Sequence, residues 1–479
     1  MATGAGVGRT GAATVNITPA GPVPGYFGNI FRRGKPDTDI LAHAVVFTDG
    51  ESTVAIVSAD LVLIGRPEVQ WAREICELRT GIPAKNIFIG ANHNHSAPAC
   101  APAWRSGNQP DPFYADFFVH KVAEAVVKAK ASMQPAVFAA GQAKAPGITF
   151  NRRLLRPDNT VVHTVVLQQS PGANDLDPNF PPEGPVDEEV GYIFFESPAG
   201  KPLACIMSFS CHNHSATTAT FHRNLFGRAV DTMQQRLRSD IPVAFLAGAC
   251  GDTMWVNPKA PLPTDSEAFT WEAGGKLADA VLKDIKGEPR HAIRDVKSES
   301  VTFEIPDRPF EESEFCEDNC RGHDKKSWQF AQERYGPERL AVIERGPTEC
   351  IVEVGAIAIS DAVAISTNPA ELFVKFGLEI KQRSPFPVTL ISELTSGYCG
   401  YVPTELAFEH GGYETHRGVY ASRLVKSGGR TITERSVDML QHVAGRAEAQ
   451  DRPKAALAKL EKNRARSQGN LKGRLKSSA

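Results

Sequence analysis

No stretch of this 479-residue chain stays apolar long enough to cross a bilayer, and neither sign of charge dominates it. Its 53 lysines and arginines nearly balance 55 aspartates and glutamates, and the formal charge of −2 offers no general attraction to nucleic acid or an anionic membrane. Met1 to Thr14 is rich in Gly and Ala and lacks the apolar core of a signal peptide. The glycines between Gly4 and Gly8 follow no strand, which argues against a phosphate loop. Nine cysteines, an odd number spread over a long chain, suit reduced thiols better than a disulfide framework. A cytoplasmic protein is the expectation. No internal repeat is visible.

What is present is ordinary in bulk: 42% hydrophobic and 23% charged residues, in a chain long enough to bury a large core. Apolar runs at Ala44–Phe47 and Thr53–Val57 flank Asp49-Gly50, which predicts a hairpin. Val190–Glu196 and Pro202–Phe209 around Pro198-Ala199-Gly200 predict a second. Helices are expected from Pro67 to Gly81, over Pro110–Met133, Gly227–Leu237 and Phe269–Ile285, and after Glu371. Further strands are expected at Ile87–Ile89, Ala136–Ala140, Pro242–Ala247, Ala362–Ser366 and Val388–Ile391. A polar segment over about 305–345 reads as an insertion or flap. Residues 446–479 read as a basic, frayed tail or, alternatively, an arm for a homo-oligomer.

The histidines are few, thirteen in all, and they cluster. His93-Asn94-His95 directly follows an apolar strand, and alternate residues of an extended chain face the same way. Ser210-Cys211-His212-Asn213-His214 repeats that context. Asp60, His93, His212, Asp252 and Glu371 each sit just after an apolar run, and sites in open α/β sheets gather at the carboxyl ends of strands. Catalytic zinc takes His and carboxylate ligands from separate segments, so these positions suit a metal centre; hydrogen-bonded loop histidines are the bland alternative. Cys250, between Gly248-Ala249 and Gly251, suits either an activated nucleophile or an inert buried thiol. Cys316, Cys320 and His323 have a zinc-like spacing without a second ligand pair.

Taken in order, Asn16-Ile17-Thr18-Pro19, His93-Asn94-His95-Ser96, Asn151-Arg152, the strand ending at His212, Gly251-Asp252, Glu371 and Tyr398-Cys399-Gly400-Tyr401 resemble the neutral ceramidase family, over roughly Val15 to Ala421. The resemblance implies an α/β catalytic domain over residues 1–445, with mixed β-sheets flanked by helices and a metal site at strand carboxyl ends. It implies Zn2+ held by His93, His212, Glu371 and Tyr401, with His95 and Arg152 facing the scissile group. Tyr413 and Tyr420 match downstream tyrosines of the family. The family places a serine where this chain has Met254, which can be neither a nucleophile nor a polar substrate ligand. The chain also resembles the family without its secretory signal and its C-terminal immunoglobulin-like domain.

The expectation is therefore a zinc hydrolase of an amide-type (N-acyl) bond in a small or acylated substrate other than ceramide. His95, Arg152 and Tyr413 are the expected catalytic groups, and Tyr420 and Asp252 the expected substrate contacts. Asp60 or Asp252 is expected to orient a ligand histidine. The alternatives are a zinc hydrolase of an ester, lactone or glycosidic bond, a cysteine hydrolase using Cys250, and a non-catalytic binding protein on the same scaffold.

Overall fold

The computed structural model describes residues 8–25, 30–31, 39–100, 110–164, 177, 179–215, 220–309, 344, 346, 348–417 and 422–445. The expected tail, Tyr420, the cluster of Cys316, Cys320 and His323, and nearly all of the expected insertion lie outside the described residues.

The main elements fall into three groups of the same order. The first comprises β1 (Arg9–Asn16), β2 (Leu41–Thr48), β3 (Thr53–Ala59), α1 (Arg66–Thr80), β4 (Ile87–Ala91) and α2 (Pro112–Ala131). The second comprises β5 (Val137–Lys144), β6 (Glu189–Glu196), β7 (Pro202–Phe209), α3 (Asn224–Leu237), β8 (Val243–Ala247) and α4 (Ser266–Asp284). The third comprises β9 (Lys297–Pro306), β10 (Glu349–Ile359), β11 (Val363–Thr367), α5 (Val374–Arg383), β12 (Val388–Ser392) and α6 (Gly428–Val443).

Within each group the first three strands form an antiparallel meander, and the fourth joins the third in parallel after a helical crossover. The parallel registers have equal length: Ala55↔Ile87 to Ala59↔Ala91, Cys205↔Val243 to Phe209↔Ala247, and Val363↔Val388 to Thr367↔Ser392. A threefold structural repeat thus underlies a sequence in which none was expected. Its trace is a buried serine one residue before the end of each third strand, Ser58, Ser208 and Ser366. Ser58 Oγ donates to the Phe245 carbonyl of the second group, and Ser208 Oγ to the Ile391 carbonyl of the third at 2.6 Å. The ring closes on the first group, where Ile89 O accepts from Ser396 N at 2.9 Å.

Strand alternation explains how the sheets stack. Val45 and Phe47, Ile193 and Phe195, and Ile357 and Ile359 point into one shared apolar core between the three sheets. Their neighbours Ala44 and Val46, and Tyr192 and Phe194, face outward under the helix pairs α1–α2 and α3–α4. Ala356 and Ala358 lie under α5–α6 in the same way. Two strands escape the apolar patterning. β1 is built of small residues because α2 lies directly on it: a Cβ at Gly11 would stand 2.1 Å from Ala129 O. β9 is a partly exposed edge strand, whose polar residues need no buried face.

Candidate metal centre

The carboxyl ends of the paired parallel strands open at one place, and each copy of the repeat contributes there. His93 lies two residues past β4, His212 three past β7, and Glu371 four past β11. Tyr401 comes from a short strand, Tyr401–Val402, that pairs in parallel with Glu371–Leu372, so Glu371 and Tyr401 are presented side by side. All four side chains are buried. His93 adopts a left-handed backbone (φ 60°), which costs a non-glycine residue conformational energy and is found where surrounding structure enforces it.

The loops are fixed by the middle residues of the two His-x-His stretches. Asn94 Oδ1 accepts from Ser96 N and from Asn224 Nδ2, at the start of α3. Asn213 Oδ1 accepts from Phe226 N in the same helix, and Asn213 O accepts from His95 N at 3.3 Å. Asp60 holds the approach to His93 through Asn92 Nδ2 at 2.6 Å and Leu41 N at 2.8 Å; burial raises its pKa to about 6.

Carbonyl contacts set the orientation of the His93 and His212 imidazoles. His93 Nδ1 lies 3.2 Å from Val62 O, and His212 Nδ1 lies 2.8 Å from Cys250 O and 3.1 Å from Thr253 O. A carbonyl only accepts, so Nδ1 carries the hydrogen and Nε2 of the neutral ring offers a lone pair. Burial, reinforced by Arg152, holds His212 well below the ordinary imidazole range. Both Nε2 atoms converge on Glu371 Oε2, at 3.3 Å for His93 and 3.4 Å for His212. His212 Nε2 is also 3.2 Å from the Tyr401 hydroxyl.

This donor set fits a metal ion. Glu371 Oε2 is buried without a hydrogen-bond partner, whereas Oε1 accepts from Tyr398 OH at 2.7 Å. An orphaned, buried carboxylate oxygen beside two imidazole nitrogens suits a cation between them. A tetrahedral ion with ligands at ~2.0–2.1 Å separates them by roughly 3.3–3.4 Å, close to the spacings found. His95 adds a third nitrogen: its Nε2 lies 3.2 Å from His93 Nε2, and the ligand atoms of His93, His95 and His212 all fall within 4.8 Å of one another. Unlike the other two, His95 is partly exposed, and its ring stacks on His214 at 4.7 Å. Burial and then His93 hold His95 well below the ordinary imidazole range.

Arg152 crosses the centre. Its Nη1 donates to His212 Nε2 at 2.9 Å, Nη2 to Gly251 O at 2.7 Å and Nε to Glu414 Oε1 at 2.8 Å; its guanidinium lies over the Tyr401 ring. Glu414 is fully buried and also accepts from Arg153 Nη1 at 2.6 Å. Burial opposes its charge, but Arg153, His163 and Arg152 outweigh it and keep it ionised.

Asp252, Met254 and Cys250 stand apart from this convergence. Asp252 accepts from Val374 N at 2.7 Å and from Asn151 Nδ2 at 2.9 Å, pinning α5 and the strand before Arg152 beneath the site. Tyr413 opens a 3-10 turn over Tyr413–Thr415, and its side chain lies outside what the structure describes. Met254 is buried, its sulfur 3.8 Å from Thr164 Oγ1. Cys250 is buried with its thiol directed at Glu393 Oε1, and burial raises its pKa well above the ordinary range, the opposite of an activated thiolate. Sequence reasoning missed Tyr398, Glu393 and Glu414. Glu393 directly follows β12, the same placement that singled out the other five. Glu414 adjoins Tyr413, but nothing in its sequence neighbourhood announces a buried partner for Arg152.

Among solved structures, the fold matches neutral ceramidase from Pseudomonas aeruginosa with a TM-score of 0.69, at 15% identity over 92% of this chain and 75% of that one. It matches a ceramidase complexed with C2 with a TM-score of 0.69, at 16% identity over 92% of this chain and 76% of that one. No family model matches the sequence, and no curated protein does. The chain therefore has the neutral ceramidase fold, an α/β architecture of mixed sheets flanked by helices. No described helix is long and apolar enough to cross a membrane.

Proposed function

We propose that this chain, built on the fold of neutral ceramidase, is a zinc-dependent hydrolase of an amide-type bond in a small or acylated substrate other than ceramide. One observation carries the reading: the unpartnered Glu371 Oε2 lies beside the Nε2 atoms of His93 and His212, with the Tyr401 hydroxyl beside them. These four residues would hold the ion. When bound, Zn2+ supplies Lewis acidity, polarising a carbonyl and lowering the pKa of water toward ~7. His95, partly exposed and kept neutral by its surroundings, would take a proton and return it to the leaving group. Arg152, held on Glu414 and Gly251 O, would steady negative charge on the carbonyl oxygen, and the resemblance alone assigns Tyr413 a share in that role. Asp252 acts as a positioning residue rather than a substrate contact, because its carboxylate ties Asn151 to α5. Tyr420 remains proposed for substrate contact from the resemblance alone.

The geometry around His95 favours one second reading, in which its ring is a third nitrogen ligand beside His93 and His212. Metal analysis of wild type and His212→Ala, beside a chelator-sensitive assay on N-acyl amides, esters, lactones and glycosides, tests the proposal. Stoichiometric zinc, lost in His212→Ala, and amide turnover abolished by chelator are the expected results. Zinc with turnover confined to esters, lactones or glycosides would transfer the activity to that bond. Zinc with no turnover would favour a binding protein. Full activity without metal would overturn the proposal, and loss of that activity in Cys250→Ser would point to the thiol.

A further inference from the structure

Glu393 has no part in the chemistry above, yet it is fully buried at the end of β12. Its Oε2 accepts from the amides of Cys250 at 3.2 Å and Leu372 at 2.9 Å, and its Oε1 from the Cys250 thiol at 2.9 Å. Its own amide donates to Ala247 O, at the end of β8.

Each of these partners adjoins a proposed metal ligand. The Cys250 carbonyl is the 2.8 Å acceptor that turns His212 so that Nε2 faces the centre. Leu372 directly follows Glu371, and its carbonyl accepts from Gly251 N at 2.9 Å. The two segments touch so closely that a Cβ at Gly251 would stand 2.5 Å from Glu371 O. Burial holds the Glu393 carboxyl well above the ordinary range, which limits the charge it sets beside Glu371.

We propose that Glu393 is a positioning residue of the metal centre: its carboxyl joins the Cys250 loop that aims His212 to the Leu372 amide that follows Glu371, and so sets the spacing of two ligands from different copies of the repeat. This rests on the metal-site reading above. Groups that orient metal ligands typically change metal affinity ~10–100-fold when lost.

The test is Zn2+ affinity of the full-length protein by chelator competition, with visible absorption of the Co2+-loaded form as a probe of ligand geometry. Glu393→Asp keeps the carboxyl group but withdraws it by one methylene, and Glu393→Leu removes the acceptors. Glu393→Gln can turn its amide oxygen to both backbone amides and its NH2 to the Cys250 sulfur. Asp and Leu are expected to bind Zn2+ ~10–100-fold more weakly, with an altered Co2+ spectrum, while Gln stays near wild type. If the Leu variant fails to fold, the Asp–Gln pair decides the matter. Wild-type affinity and Co2+ spectrum in Glu393→Asp would overturn the proposal, even if its melting temperature fell equally with and without metal. A wild type that binds neither ion would instead overturn the metal-site reading itself.

Discussion

His93 and His95 stand two residues apart, but one is fully buried against Val62 O while the other is only partly buried and stacks on His214. Their substitution is accordingly expected to separate binding from turnover. His212→Ala should abolish stoichiometric metal, whereas His95→Ala should keep it and lose ~10²–10⁴-fold in kcat, the usual worth of a positioned acid–base group. Metal analysis beside steady-state kinetics checks this, and loss of metal from His95→Ala would assign His95 to the ligands. Arg152 gives the converse case. Its Nη1 donates to the same His212 lone pair that a metal would take, and one lone pair serves one partner at a time. Arg152→Ala should therefore bind Zn2+ at least as tightly as wild type while kcat falls ~10²–10³-fold, as on losing an oxyanion donor. Weaker Zn2+ binding in a chelator-competition titration would contradict that expectation.

At the scale of elements, the loop after β8 is pressed backbone to backbone against the segment that carries Glu371. A Cβ at Gly251 would press on Glu371 O and on the Leu372 backbone, neither of which can swing aside as a flexible side-chain tip would. Gly251→Ala is expected to cost about 1–3 kcal/mol of stability, as overpacking does, and to weaken metal binding by moving the Cys250 carbonyl from His212. Urea denaturation and Zn2+ titration measure the two effects; an unperturbed affinity would show that the loop does not set His212. Elements of this kind divide by how legible they are in sequence. Both hairpins and α1, with Pro67 near its start and Gly81 at its end, follow from local chemistry, as do the strand ends bearing His93, His212 and Glu371. β1 was hidden because packing against α2 demanded small residues, and β9 because an edge needs no apolar stripe. Glu393 and Glu414 act through partners 143 and 262 residues away, a pairing that periodicity and spacing do not encode.

For the molecule as a whole, burial makes the fold sensitive to acid. Burial, aided by Arg223, lowers His43 to about 3, and burial followed by His93 lowers His214 to about 4; His95 and His212 also lie well below their ordinary value. The unfolded chain takes up these protons near pH 6.5 and the native one does not, so stability falls below that pH by about 1.4 kcal/mol per unit for each ring. Asp60 and Asp252, raised by burial to about 6, and Glu393, raised well above its ordinary range by burial, run the opposite way by binding protons first in the native state. The four rings outweigh the three carboxyls. The metal-free protein is expected to have a lower urea midpoint at pH 5 than at pH 7, and an equal or higher midpoint would refute this. The threefold repeat carries a last consequence. His93 belongs to its first copy, His212 to its second, and Glu371 to its third. The centre is thus a logical conjunction, satisfied only when all three copies have docked. A chain halted before its third copy would own two of the proposed imidazole ligands without the Glu371 carboxylate, so capture of the proposed ion would certify that assembly is complete.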